Sequence, residues 1–193
     1  GLDGVTHDRK RAVQPDSGHL RRTAPVSVGV TVLPRVISGF RLAYPNISVE
    51  INFTDTLVDV IEENCELAIR VSGPPTDKST IWRKLCEVPR HMVAAPSLLA
   101  RVPMPDHPSA FKDDLLMSYS DTGEREVWEL SQAGTAKSIR AGSKVLSNNG
   151  DYLLGLAIAG EGISVLPDFI TRKALDRGDV VVVFPEWGVS SLW

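Results

Sequence analysis

The sequence predicts an α/β fold with two lobes, and three observations carry this prediction. Short β-branched runs alternate with segments of helical spacing along the 193 residues, as in sheets whose strands are joined by helices. Small polar residues follow several predicted strands, which is where open α/β sheets bind ligands. A proline break at residues 88–90 indicates that the chain crosses there from one lobe to the other.

The first lobe is predicted to open with a strand at residues 19–25, after a polar linker over residues 1–18. Pro25 should end this strand, because proline cannot donate to a central ladder. Helical spacing of Leu33, Val36, Ile37 and Phe40 then predicts an amphipathic helix that ends before Tyr44-Pro45. We expect packing rather than helix propensity to stabilise it, since Gly39 weakens its middle.

Alternating apolar and polar residues at 47–53 predict a half-buried strand. A helix is expected next, with Leu57, Val58 and Ile61 on its apolar face. A short strand at residues 67–71, a loop at 74–80 and an extended segment at 81–87 should follow and complete this part of the chain.

The second lobe should begin with a strand at residues 91–95 and a short helix after Pro96. Its other predicted elements are a helical turn at 109–113 and strands at 115–119, 127–130 and 138–146. Trp128 in this region is interpreted as a core residue rather than a ligand contact. A last apolar run at residues 180–184 predicts another strand.

The most informative stretch is residues 147–169, which reads as helix, tight turn, strand and helix. Asn148 and Asn149 can cap a helix that begins near residue 149, and Asp151 in its first turn suits the positive end of the helix dipole. Gly160 and Gly162 are expected to end that helix with a left-handed residue. A buried strand should then cover residues 163–166, with Pro167 at the first position of a new helix.

Composition excludes some functions. Hydrophobic residues make up 42% of the chain, and no apolar run approaches the roughly 20 residues that cross a membrane. The net charge of −3 gives no overall basic field for nucleic acid. Cys65 and Cys86 lie far apart in sequence without neighbouring metal ligands, so both are interpreted as ordinary thiols of a reducing compartment.

Motifs of common catalytic sites are absent from the sequence. It has no phosphate-binding G-x-x-x-x-G-K-[ST] loop, no G-x-S-x-G elbow and no H-E-x-x-H pair. Seven hydroxyl, phenol or amide groups instead fall at predicted strand ends and helix starts, and we expect them to face one inter-lobe cleft: Ser27, Thr54, Ser72, Ser118, Tyr119, Asn148 and Asn149. Such groups, without an evident general base, favour binding of a small polar molecule over its chemical conversion.

Several segments together resemble the effector-binding domain of LysR-type bacterial transcriptional regulators. They occur in the family's order and spacing over about residues 18–193: 18–29, 33–47, 57–70, 148–150 and 159–167. The resemblance implies a periplasmic-binding-protein-like fold of two Rossmann-like lobes joined by two crossing strands. It divides the chain into lobe I (residues 19–89 and 187–193) and lobe II (residues 90–186).

The resemblance also implies function. It predicts that a small effector, a carboxylate or other small anion, binds in the cleft at positions that include Ser27, Thr54 and Asn148. Neither a cofactor nor a metal is expected, and the domain is not expected to be an enzyme. The implied protein is a cytoplasmic homodimer or tetramer that binds DNA only through an N-terminal helix-turn-helix, which lies outside this chain, and does not bind membranes.

Two other classes remain open at this point. A free-standing periplasmic solute-binding protein of a transport system would share the fold, and it should carry a secretion leader. An enzyme on the same scaffold would need a general base in the cleft, and the sequence offers no candidate for that base.

Overall fold

The computed structural model describes residues 17–55, 67–73 and 81–193. Three predictions lie outside these residues: the helix that follows Thr54, the loop at 74–80 and the environment of Cys65. The predicted linker also lies outside them, apart from its last two residues. Cys86 is exposed and has a free thiol.

The first lobe contains a parallel sheet of β1 (Gly18–Ala24), β2 (Ile47–Phe53) and β3 (Leu67–Ala68) in the order β2-β1-β3. The register runs from Gly18 opposite Ile47 to Ala24 opposite Phe53. The predicted strands at 19–25 and 47–53 are therefore confirmed to within one residue. The strand predicted at 67–71 is shorter, at two residues.

Two helices follow β1, where the sequence predicted one. Helix α1 (Val26–Thr31) begins directly after Pro25, and α2 (Leu33–Ala43) carries Pro34 in its first turn and ends before Tyr44-Pro45, as predicted. Of the predicted apolar stripe of α2, Leu33 is buried, whereas Val36 is 56% exposed. The packing of α2 against the described residues is therefore narrower than its sequence pattern indicated.

The second lobe is larger and mixes strand directions. Its strands are β4 (Arg90–Ala94), β5 (Ser118–Tyr119), β6 (Val127–Gln132), β7 (Thr135–Arg140), β8 (Leu146–Ser147), β9 (Ser164–Pro167), β10 (Val181–Val182) and β11 (Gly188–Val189). Its helices are α3 (Pro96–Leu99), α4 (Gly150–Ile158) and α5 (Asp168–Arg177), with short 3-10 turns at Pro108–Ala110 and Asp113–Leu115. Strand β4 pairs antiparallel with β9 and β10, and β5 pairs parallel with β8. A parallel bridge between Leu116 and Ile163 connects these two groups of strands.

Strands β6 and β7 form an antiparallel hairpin whose inner residues join the second-lobe core. Gln132 pairs with Thr135, so the loop has two residues, Ala133 and Gly134, and both have positive φ angles (47° and 83°). This is the geometry of a type I′ turn, whose twist matches that of the strands. Strand β11 extends the hairpin by pairing with β6.

Three predicted boundaries in the second lobe are wrong. The strand predicted at 138–146 is interrupted, because the backbone of Gly142 packs against the carbonyl oxygens of Asp113 and Leu116. The strand predicted at 115–119 is reduced to Ser118–Tyr119, with a single bridge at Leu116 before it. Pro167 ends β9 in extended geometry and caps α5, so it precedes the helix rather than starting it.

The turn after α4 is partly as predicted. Gly160 has the left-handed φ of 79° that ends a helix. Gly162 does not have a positive φ, and its lack of a side chain serves packing instead. A Cβ atom at Gly162 would lie 2.7 Å from the Leu115 carbonyl oxygen and 2.8 Å from Met117 Cγ.

The two crossing segments lie side by side. Val88 pairs antiparallel with Leu192, and the Trp193 amide donates to the Ser72 carbonyl at 2.9 Å. Trp187 is buried in the second-lobe core, and β11 pairs with β6. The two segments therefore pass side by side near residues 88 and 192, and the lobe boundaries predicted at residues 89 and 187 stay a prediction.

Candidate functional site

A cavity of about 250 Å³ lies between the two lobes. Polar residues of the first lobe (Ser27, Thr54 and Ser72) face Tyr119 and Asn148 of the second lobe across it. Its apolar wall comes from both lobes and from the second crossing segment: Pro25, Val28, Val71, Val165, Leu166, Pro167, Phe169, Ile170 and Leu192. A small cleft with an apolar wall and a few convergent polar groups is typical of a ligand site.

The first-lobe side is built from the ends of β1 and β2. These strands are parallel, so their carboxyl ends meet at one edge, where the Thr54 amide donates to the Ala24 carbonyl at 2.9 Å. Ser27 lies in the first turn of α1 and is buried, and its hydroxyl donates to Asp151 Oδ2 of the second lobe at 2.5 Å. The strand ends thus bring Ser27 and Thr54 to one wall.

The second-lobe side is the start of α4. Asn149 is the N-cap, and its Oδ1 accepts the Tyr152 amide at 2.9 Å, as its position in the sequence predicted. Its Nδ2 donates to Asp55 Oδ2 at 3.0 Å. Asn148 lines the cavity, and within the described part of the chain its side-chain amide has no hydrogen-bond partner.

Charged residues also line the cavity: Asp55, Arg70, Arg90, Asp121 and Glu126. Arg90 Nη1 lies 2.7 Å from Glu126 Oε1, and the Arg90 side chain is 7% exposed. Arg90 also donates to the carbonyl and hydroxyl oxygens of Ser190, both at 2.8 Å, so it joins the crossing segments to the cavity wall. Burial raises the pKa of Glu126, and Arg90 opposes that shift.

The pKa of Tyr119 is raised by burial and by the carboxylates near it. Burial raises the pKa of its phenol to about 12, and the carboxylates of Asp55, Asp121 and Glu126 add to the shift. Tyr119 is therefore a neutral hydrogen-bond donor and acceptor at physiological pH.

Five of the seven predicted site residues line the cavity: Ser27, Thr54, Ser72, Tyr119 and Asn148. Ser118 and Asn149 do not. The hydroxyl of Ser118 is fully buried and accepts the Glu126 amide at 2.6 Å, so it holds the loop before β6. Asn149 uses both ends of its amide for the helix cap and for Asp55.

The charged lining was missed at the sequence level. Asp55 adjoins Thr54 and could have been included by the same strand-end argument. Arg70 comes shortly after β3, but the strand predicted at 67–71 places it inside a strand. Arg90 and Glu126 are 36 residues apart in sequence, and no local pattern indicates that they pair.

The described residues contain no cluster of three or more side chains suited to hold a metal ion. Among these same residues, no helix has the length and apolarity to span a membrane.

Comparison with known proteins identifies the family. Residues 14–193 match the family described as LysR substrate binding domain. The chain belongs to this family. An uncharacterised HTH-type transcriptional regulator of Haemophilus influenzae is 29% identical over 88% of the chain. The regulator PtxR of Pseudomonas aeruginosa is 27% identical over 96% of it. The chain spans 59% of the length of each of these two relatives.

Solved structures of LysR-type regulators have the same fold. Full-length AphB of Vibrio cholerae, described as a virulence activator, superposes with a TM-score of 0.77 at 25% identity. The match covers 92% of this chain and 60% of AphB. The regulatory domain of CrgA from Neisseria meningitidis superposes with a TM-score of 0.73 at 18% identity, covering 92% of this chain and 89% of that domain. The predicted periplasmic-binding-protein-like α/β fold is confirmed.

The same comparisons bear on the competing function classes. The curated relatives named here are transcription regulators rather than transport proteins or enzymes. The LysR family resemblance inferred from sequence is therefore confirmed, and the free-standing solute-binding alternative gains no support.

Proposed function

We propose that this chain is the effector-binding domain of a LysR-type transcription regulator, and that a small molecule in the inter-lobe cavity controls it. The main support is a cavity between the lobes of a LysR substrate binding domain. The side-chain amide of Asn148 lies in its wall without a hydrogen-bond partner among the described residues. A ligand that binds one lobe arrangement better than another shifts the population toward that arrangement. Ser27, Thr54, Ser72, Tyr119 and Asn148 are the proposed contacts.

The effector is proposed to be a small carboxylate or other small anion with an apolar portion. The apolar wall supports the apolar portion of the effector, since its residues would bury hydrocarbon or aromatic surface. The guanidinium group of Arg70 in the lining supports the anionic group. Asp55, Asp121 and Glu126 restrict where an anionic group could lie.

The wider assignments belong to the whole regulator. We propose that it works in the cytoplasm as a homodimer or tetramer, binds DNA through an N-terminal helix-turn-helix and catalyses no reaction. Effector binding would then alter the oligomer on DNA, because a domain that changes lobe arrangement also changes the surfaces it presents to its neighbours.

A thermal-shift screen with a library of small organic acids tests the effector site. Asn148→Trp fills the cavity with an indole at a position whose amide has no other bond in the described residues. Asn46→Trp makes the same change at an exposed turn. Acids that bind the cavity should raise the Tm of the wild-type chain and of Asn46→Trp, but not that of Asn148→Trp.

The regulatory part of the proposal needs the full-length protein. A binding acid should change the affinity of the full-length regulator for its operator DNA. Asn148→Trp should bind the DNA but not respond to the acid. An acid that stabilises all three chains equally, or that leaves DNA binding of the wild-type regulator unchanged, contradicts the proposed function.

A further inference from the structure

One carboxylate of the cavity wall contacts both lobes. Asp55 follows β2, and its Oδ1 accepts the Val26 amide of the first lobe at 2.9 Å. Its Oδ2 accepts the side-chain amide of Asn149, the N-cap of α4 in the second lobe, at 3.0 Å. Each oxygen therefore has a donor from a different lobe, so the orientation of the carboxylate is fixed at both ends.

Two neighbouring contacts hold the same inter-lobe arrangement. The Ser27 hydroxyl donates to Asp151 Oδ2 across the cleft. Phe169 of the second lobe packs against the buried first-lobe cluster that contains Val28. Asp55 thus lies where the lobes already touch, and a change there acts on the inter-lobe junction as well as on the cavity.

The position of Asp55 also limits where an anionic group of the ligand can lie. Asp55 accepts from two N–H donors that would otherwise suit an anionic ligand group. A second carboxylate beside it would meet like-charge repulsion, which is strong in a partly desolvated cleft. Asp151, which accepts from Ser27 beside Val26, adds negative charge to the same corner. Asp121 lies elsewhere among the residues that line the cavity.

We propose that Asp55 is a specificity-determining and positioning residue of the effector site. Its carboxylate occupies the corner between α1 and α4, excludes anionic groups of the effector from it, and holds the two helices in their present arrangement. This inference rests on the proposed function, since it concerns which part of an effector can lie in that corner. A neutral or hydrogen-bond-donating group of the effector fits beside Asp55, and an anionic group must lie elsewhere in the cavity.

Chemical rescue with acetate tests this role without the natural effector. Asp55→Ala removes the carboxylate and leaves the Val26 amide and the Asn149 side chain as open donors. Acetate at 100 mM should then raise the Tm of Asp55→Ala by about 3 °C more than that of the wild type. Hydrogen exchange of the Val26 amide, followed by NMR, should be about tenfold faster in Asp55→Ala and should slow again with acetate.

Two variants and a salt control separate this role from a general effect of charge. Asp121→Ala removes another carboxylate from the same cavity wall and should show the wild-type response to acetate. Asp55→Asn keeps the size of the side chain and an oxygen for Val26, so it should leave no room for acetate and show no rescue. Sodium chloride at equal ionic strength should not replace acetate in Asp55→Ala.

The inference is overturned if acetate and chloride act equally on Asp55→Ala, or if Asp121→Ala gains the same response. If Asp55→Ala is unfolded at 25 °C, acetate-dependent refolding measured by circular dichroism replaces the Tm, and failure to refold counts against the inference. Because acetate rescue needs neither effector nor DNA, it can fail while the acid screen succeeds. The proposed function can likewise fail while rescue succeeds.

Discussion

The described parts of the two lobes differ in how much of their apolar surface is buried. In the second lobe, Trp128 and Leu153 are fully buried within two large clusters. The described part of the first lobe has one small cluster, Ala24, Val28 and Leu33, while Val30 on α1 and Leu42 on α2 are 65% and 84% exposed. The first-lobe cluster also packs against Phe169 of the second lobe.

This difference indicates a division of roles. A large buried core makes the second lobe a rigid platform for the α4 N-terminus, because opening it would expose much apolar surface. Within the described residues, the first-lobe helices have the smaller core and depend more on contacts across the cleft. A ligand or a substitution at the junction should therefore affect the first lobe more than the second.

The largest effect is expected from the second-lobe core. Trp128→Ala should lower the free energy of unfolding by about 3–5 kcal/mol, because it leaves a large cavity and removes the hydrogen bond from Nε1 to Glu126. Trp82→Ala is the matched control, since Trp82 is 44% exposed, and it should cost less than about 1 kcal/mol. Urea unfolding followed by far-UV circular dichroism measures both. Equal losses would contradict the assignment of the main core to the second lobe.

Two glycine substitutions, with expected effects of intermediate size, compare how tightly the two lobes are packed. A Cβ atom at Gly142 of the second lobe would overlap the backbone carbonyl oxygens of Asp113 and Leu116. Gly142→Ala should therefore cost about 1–3 kcal/mol or more. A Cβ atom at Gly29 of the first lobe would meet the ring of Phe53, which is half-exposed and can rotate away.

Gly29→Ala should consequently cost less than about 1 kcal/mol, since alanine also favours the helix. Thermal unfolding of both variants measures the difference. A larger loss for Gly29→Ala would show that the first lobe is packed as tightly as the second.

The smallest expected effect is a pH dependence. Burial opposes ionisation of Asp168, but hydrogen bonds from Arg172 and His91 outweigh it and lower its pKa below the ordinary value of 3.8. A lowered pKa stabilises the folded chain above that value, and the contribution is lost as pH falls through the folded-state pKa. The stability advantage of the wild type over Asp168→Asn should therefore hold above about pH 5 and shrink as the pH falls from there through the folded-state pKa, which lies below 3.8.

Glu50 in the first lobe gives the control. A hydrogen bond from His19 lowers its pKa as well, but the pair is exposed and solvent weakens its contribution. Glu50→Gln should change the fall of the unfolding free energy at acid pH less than Asp168→Asn does. Urea unfolding at several pH values measures both, and a larger effect of Glu50→Gln would contradict the comparison.

Sequence reasoning succeeded where a local pattern determines the structure. The strand at 47–53 follows from alternation, and the start of α4 follows from the capping capacity of Asn149. Predicted strand ends and helix starts also indicated five of the residues that line the cavity, because parallel strands bring their carboxyl ends together.

It failed where contacts distant in sequence decide the outcome. The break at Gly142 depends on carbonyl groups of Asp113 and Leu116, and the burial of Ser118 depends on the Glu126 amide. Asp55 accepts from Asn149, which lies 94 positions away in the chain. The first two contacts are set by packing within the second lobe and the third by the docking of the two lobes, and no local sequence pattern indicates any of them.

The measurement that tests the central claim most directly is calorimetric titration of a stabilising acid from the library into three chains. They are the wild type, Thr54→Ala from the first-lobe wall and Asn148→Ala from the second-lobe wall. If each side chain hydrogen-bonds the effector, each variant should bind about 5- to 150-fold more weakly, which corresponds to about 1–3 kcal/mol. Unchanged affinity in both variants would contradict an effector site between the lobes.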